Sequence, residues 1–155
     1  MRRDSRLSRM LHVLIHMDRH EGAATSETIA RMLDANPVVI RRTMAGLREK
    51  GYVRSGKGHG GGWTLGRSLQ EMTLLDIYQA VGEPPVFAMG PACDSPQCLV
   101  EQAVDAALAD AFAEAEKLLL ERFGHVTLAD IAEDFEARLS RRSGLALQAG
   151  SGCAP

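Results

Sequence analysis

Seven residues near the middle of the chain, Gly56-Lys57-Gly58-His59-Gly60-Gly61-Gly62, include five glycines. Helices and strands do not tolerate that density, because each glycine adds conformational freedom that folding must remove. The stretch is therefore a loop. Short β-prone runs flank it, Tyr52-Val53-Arg54-Ser55 before and Trp63-Thr64-Leu65 after, so the whole reads as a hairpin with a flexible tip. A phosphate-cradling nucleotide loop does not fit, since no Gly-Lys-Ser/Thr follows and no helix starts behind it.

Upstream of the hairpin the pattern is helical. Leu7, Met10, Leu11, Leu14 and Ile15 form one apolar stripe across Ser5–His20, which predicts an amphipathic first helix closed by Glu21-Gly22. Thr25 is a good N-cap for a short second helix burying Ile29, Ala30 and Leu33, and Asp34-Ala35 breaks it. Asn36-Pro37 then supplies a cap and a proline suited to the first turn of a third helix. Ile40, Met44 and Leu47 turn its apolar face inward, and Gly51 ends it.

Downstream, Thr73 with Asp76 forms a capping box that opens a helix through Val81, stopped by Gly82-Glu83-Pro84-Pro85. Residues 84–97 read as a loop carrying cysteine. From Cys98 to about Phe123 no helix breaker occurs, and Val100, Val104, Leu108, Phe112, Ala115 and Leu119 recur at three- and four-residue steps. Such a helix is about 39 Å long, more than so small a chain covers by folding on itself, so a partner helix is expected. Thr127 caps a last helix through about Arg142, and residues 144–155 read as a disordered tail. No internal repeat is evident. The expected fold is mainly α with a small β-hairpin wing: a winged helix-turn-helix over residues 1–83, then a helical dimerisation region over 98–143.

Charge divides along the same line. Residues 1–70 carry 13 Lys/Arg against 6 Asp/Glu, a net of +7, and residues 71–155 carry 5 against 14, a net of −9. A basic half joined to an acidic half suits a nucleic-acid binder with a separate assembly or control region. Two helices, a tight turn and a hairpin also fit a major groove about 12 Å wide, which admits one helix. The outward positions near the start of the third helix are Val38, Val39, Arg41 and Arg42. Arginine pairs bidentately with guanine edges, and valine contacts thymine methyls. With Thr25 at the head of the second helix, and Arg54, Lys57 and His59 on the wing, these are the candidate contacts to double-stranded DNA. No nucleophile–base pair, metal quartet or cofactor fingerprint points to an enzyme. No apolar run reaches the roughly 18 residues of a membrane span, and the charged start does not look like a secretory signal, so a cytoplasmic protein is expected.

The motifs carry a family resemblance. Thr25-Ser26-Glu27-Thr28-Ile29-Ala30, Asn36-Pro37-Val38-Val39-Ile40-Arg41-Arg42, Gly51-Tyr52-Val53-Arg54-Ser55, Gly60-Gly61-Gly62-Trp63 and Met72-Thr73-Leu74-Leu75-Asp76-Ile77 together resemble the Rrf2 family of bacterial transcription regulators. Val126-Thr127-Leu128-Ala129-Asp130-Ile131 extends the likeness towards residue 140. The resemblance implies a homodimer built on the long helix (residues 98–123), recognising an inverted-repeat operator, usually as a repressor. It also implies that Val38, Val39, Arg41 and Arg42 face bases. Valines at 38 and 39 depart from the polar or aromatic residues commoner there, which leaves the operator sequence open.

Some members of that family hold an iron–sulfur cluster on three cysteines in this region. Here only Cys93 and Cys98 lie there, with Cys153 far along the chain. Clusters normally take four ligands, so a cluster is disfavoured and no cofactor is expected. The same two cysteines could instead form a thiol-redox sensor, Cys98 gaining acidity from the helix N-terminus. His12, His16 and His20 fall at four-residue steps, a spacing open to metal. Without a local cysteine or acid to complete a set, the row reads as solvated or interface-facing. The remaining alternative is a winged helix that contacts protein rather than DNA.

Overall fold

The computed structural model describes residues 5–19, 22–58, 61–87 and 97–149, with side chains through Arg142. Among them the chain order is α1 (Arg6–Arg19), α2 (Ser26–Leu33), α3 (Pro37–Glu49), β1 (Val53–Ser55), β2 (Trp63–Leu65), a single 3-10 turn at Leu69–Glu71, α4 (Leu74–Ala80), α5 (Leu99–Gly124) and α6 (Leu128–Ala149).

Local chemistry sets the boundaries of the first three helices. Thr25 caps α2, its Oγ1 accepting from the Thr28 N–H at 3.1 Å. Asp34 ends that helix in the left-handed region at φ 47°. Asn36 caps α3 by accepting from the Val38 N–H at 2.8 Å, with Pro37 in the first turn. Gly51 follows α3 at φ +78°, a conformation costly to any residue with a Cβ.

The core is built by α1–α4 and closed by α6. Ile40, Met44 and Leu47 of α3 are buried with Ile29, Ile77 and Leu128. On α1 the buried face is Met10, Val13, Leu14 and Met17. It is displaced from the expected stripe: Leu7 and Leu11 pack only partly, Ile15 is half-buried, and Val13 and Met17 take the interior. The reason is that α1 contacts α4, β2 and α6 at once, so its buried arc is set by three neighbours. At Gly46, where α3 crosses α4, an added Cβ would lie 2.7 Å from the Ala80 carbonyl oxygen.

β1 and β2 pair antiparallel, Val53 opposite Leu65 and Ser55 opposite Trp63. A third segment joins them at Ala24, whose N–H and carbonyl exchange hydrogen bonds with Trp63 at 2.9 and 2.8 Å. A second isolated bridge joins Thr73 to Thr127. These threonines open two closely similar segments, Thr73-Leu74-Leu75-Asp76-Ile77 and Thr127-Leu128-Ala129-Asp130-Ile131. The sequence does carry a short repeat, and its two copies pair with each other.

α5 contacts α4 through an edge-to-face pair, Tyr78 with Phe123 at 6.0 Å. Phe87, beyond α4, stacks on Phe112 at 5.4 Å. None of the 26 residues of α5 is buried. α6 returns to pack on α1 and on the 3-10 turn of the same chain. It extends seven residues past the expected end at Arg142, through Gly144 to Ala149, which corrects the start of the expected disordered tail. Residues 150–155 lie outside the described residues.

Candidate nucleic-acid interface

Because Ile40, Met44 and Leu47 are drawn into the core, the opposite face of α3 is left to solvent. Val38 and Val39 remain 66% and 53% exposed, and Arg41 and Arg42 are exposed beside them. Two β-branched apolar side chains at the open end of a helix gain nothing from that exposure. Their position next to two arginines makes a mixed apolar and cationic surface of about one and a half turns.

Three of the four positions divide between two flanks. Arg41 turns towards α2, where its guanidinium pairs with the exposed Glu27 carboxylate. The hydrogen bond from Arg41 holds the Glu27 carboxyl below its ordinary range. Val39 and Arg42 turn the other way and border a hollow shared with Arg6 of α1. Sequence reasoning missed both Glu27 and Arg6, since neither relationship follows from spacing along one helix.

Thr25, the remaining helix candidate, is exposed, and its hydroxyl serves as the α2 cap. On the wing, Arg54 and Lys57 are exposed. His59 lies outside the described residues. The base of the wing is held firmly: the Trp63 indole N–H donates to the buried Ser26 Oγ at 2.9 Å. Together with the Ala24 bridge, this bond ties the hairpin to the start of α2 and limits how far its root can swing.

Cys98 is the N-cap residue of α5 and carries an exposed free thiol. Cys93 and Cys153 lie outside the described residues, as does His20. His12 and His16 stack at 4.7 Å along α1. Their groove also contains Ile15, Arg19, Ile131 and Phe135, with Arg19 paired to Glu136 and lying over the Phe135 ring. Among the described residues no helix is long and apolar enough to cross a membrane.

The Rrf2 family model, described as an iron-dependent transcriptional regulator, matches residues 3–134. The chain belongs to the Rrf2 family. It is a transcriptional regulator, not an enzyme, and its fold is the winged helix of this family's DNA-binding regulators. Among curated relatives it is similar to the HTH-type transcriptional regulator YwnA of Bacillus subtilis, 28% identical over 83% of this chain and 95% of YwnA. YwgB of the same organism is 34% identical over 52% of this chain, a match that spans only 53% of YwgB. Among solved structures, a transcriptional regulator from Lactobacillus plantarum superposes with a TM-score of 0.71 at 25% identity, covering 90% of this chain and 97% of that one. The fold is also shared with T. potens IscR, at a TM-score of 0.65 and 19% identity over 89% and 90% of the two chains.

The family's iron dependence calls for a ligand set, and the described residues do not provide one. No group of three or more His, Cys, Asp or Glu side chains among them could hold a metal ion. Nor does any buried side-chain nitrogen or oxygen among them lack a hydrogen-bond partner.

Proposed function

We propose that the chain acts in the cytoplasm as a homodimeric, sequence-specific DNA-binding regulator, a repressor on an inverted-repeat operator. Residues 1–83 form the DNA-binding unit and residues 98–143 the dimerisation region. The observation that carries the reading is the exposed start of α3, where Val38, Val39, Arg41 and Arg42 crown a helix whose opposite face is anchored in the core. The first turns of α3 enter the major groove and read base edges. Thr25, Arg54, Lys57 and His59 contact the backbone or minor groove and fix the register. Dimerisation is supported by α5: Val100, Val104 and Leu108, exposed at 72%, 51% and 42%, form an apolar stripe on a helix with no buried residue.

Fluorescence anisotropy with a selected duplex tests this. Arg42→Ala is expected to weaken operator binding and to relax preference at one base position in each half-site, by about 1–3 kcal/mol. Equal loss on operator and scrambled duplexes would remove Arg42 from the base-reading set. Wild-type binding that is insensitive to both salt and sequence would favour protein contacts instead.

The signal in this reading is thiol oxidation at Cys98 with Cys93, supported by the exposed free thiol at the head of α5. A Cys93→Ser/Cys98→Ser protein should then keep one operator affinity under oxidant and reductant while the wild type changes. If the wild type is equally unresponsive, thiol sensing is wrong.

A further inference from the structure

Three consecutive residues at the start of α2 face three different ways. Thr25 is exposed and caps the helix. Glu27 is exposed and pairs with Arg41 of α3. Ser26, between them, turns inward and is only 7% exposed, the one buried polar residue among those described. Its Oγ accepts from the Trp63 indole N–H at 2.9 Å. Trp63 opens β2, and its ring packs against the core. A serine hydroxyl is costly to bury unless it is bonded, and so is an indole N–H. One turn of α2 thus reaches both α3 and the root of the wing.

The wing continues this anchor as hydrogen-bonded backbone. The Gly56 N–H donates to the Gly62 carbonyl at 2.8 Å, which carries the β1–β2 ladder one pair past Ser55 and Trp63. The Gly61 N–H donates to the Gly58 carbonyl at 2.9 Å and draws the two sides together. No side chain fits inside that backbone: a Cβ at Gly61 would lie 2.6 Å from the Gly56 carbonyl oxygen. At Gly62 it would lie 2.9 Å from the carbonyl oxygen of Ala24. The hairpin is therefore bonded between its two sides and clamped at its root by both Ala24 and Ser26. Such a hairpin swings as one body, and its root decides where the exposed Arg54 and Lys57 lie.

Duplex binding of this kind needs a helix in the groove and cations on the flanking backbone, at a spacing the protein sets. We propose that Ser26 is a positioning residue for DNA binding: through Trp63 it holds the wing at a set distance from α3. Arg54 and Lys57 then reach the sugar–phosphate backbone while the start of α3 lies in the groove. Ser26 itself touches no DNA. This rests on the DNA-binding reading above and adds to it the group that keeps the wing in register. A wing already in place loses little freedom on binding, and the affinity gained comes from that.

The test is duplex binding by fluorescence anisotropy across a salt series, for the wild type and Ser26→Ala, each with and without Lys57→Gln. Thermal melts set a temperature at which every variant is folded. Ser26→Ala is expected to bind about three- to tenfold more weakly, because a loosened hairpin must be ordered on binding. In the wild type, Lys57→Gln should make the slope of log K against log salt shallower by about 0.9 per bound chain. In Ser26→Ala the same substitution should change the slope much less, because the wing no longer holds Lys57 against the backbone. Trp63→Phe keeps an aromatic ring without the N–H and should copy Ser26→Ala, with the double variant no weaker than either. Equal slope changes in the two backgrounds overturn the proposal, since the wing is then placed without Ser26. A Ser26→Ala protein that melts lower yet binds like the wild type overturns it too, leaving the bond purely structural. A wild type whose slope ignores Lys57→Gln removes the wing from the backbone and the positioning role with it. If the wild type binds no duplex at any salt, the DNA-binding reading itself fails.

Discussion

Thr73 and Thr127 stand opposite each other across an antiparallel bridge, each at the head of its own helix and each locked to an aspartate three residues on. The Leu74 N–H donates to the Val126 carbonyl at 2.9 Å, and the Leu128 N–H to the Met72 carbonyl at 2.8 Å. Two capping boxes of nearly identical sequence thus brace one another. The bridge joins the end of the winged helix to the start of α6 and delivers Leu128, fully buried, into the core. The joint therefore ties the segment that opens α4 to the segment that opens α6.

Asp76 is the charged element of that joint. Burial alone would raise its carboxyl, but hydrogen bonds from the Thr73 N–H and hydroxyl and from the Tyr52 hydroxyl outweigh burial and hold it below its ordinary range. A carboxyl whose folded pKa is depressed stabilises the fold above its unfolded value, near 3.8, and the contribution is lost as pH falls through the folded value. Asp76→Asn should cost about 1–2 kcal/mol at neutral pH, a cap loss plus one hydrogen bond. In urea melts the gap between wild type and variant should begin to narrow below about pH 4 and go on narrowing as pH falls. A gap that does not narrow with falling pH would show that packing, not the charge, carries the effect.

Gly46→Ala should destabilise although alanine is the better helix former by about 1 kcal/mol. The new methyl would lie 2.7 Å from the Ala80 carbonyl oxygen and would force α3 away from α4. A net loss of about 1–3 kcal/mol is expected. An unchanged or raised melting temperature would mean that the two helices separate freely.

Glu27 and Arg41 should behave as one unit in DNA recognition. The carboxylate selects the direction in which the Arg41 guanidinium leaves α3. Arg41→Ala and Glu27→Gln should alter discrimination at the same base position of each half-site, and the double variant should resemble Arg41→Ala alone. Strict additivity on single-base-substituted duplexes would separate the two residues.

Val104→Glu with Leu108→Glu places two charges on the exposed stripe of α5. Neither position is buried in the single chain, so its thermal stability should change little beyond loss of the dimer. Sedimentation equilibrium should show a monomer where the wild type is a dimer, with operator affinity falling at least tenfold because each half-site is then held alone. A variant that remains dimeric would move the interface off α5.

Much of this was legible from residue order, and the exceptions share a cause. The α3 face of Ile40, Met44 and Leu47, the caps at Thr25, Asn36 and Thr73, and the span of α5 are local patterns, and the structure agrees with them. The buried face of α1 is not legible because three elements pack around it, so Val13 and Met17 are enclosed while Leu7, Leu11 and Ile15 of the expected stripe are only partly covered. The Trp63–Ser26 bond, the Thr73–Thr127 bridge and the Arg6–Arg42 recess join residues 36 to 54 positions apart. No periodicity reports such pairs. For the interface, the exposed arginines of α3 were legible, whereas their two different surroundings were not.

Selection of binding sites from random duplexes by the purified protein tests the central claim most directly. The account predicts an enriched inverted repeat whose half-site centres lie about 34–36 Å apart or at a multiple of one helical turn. It also predicts that binding to the repeat weakens steeply with salt. Enrichment of no motif, or of a single half-site bound by one chain, would contradict a dimeric operator-binding regulator.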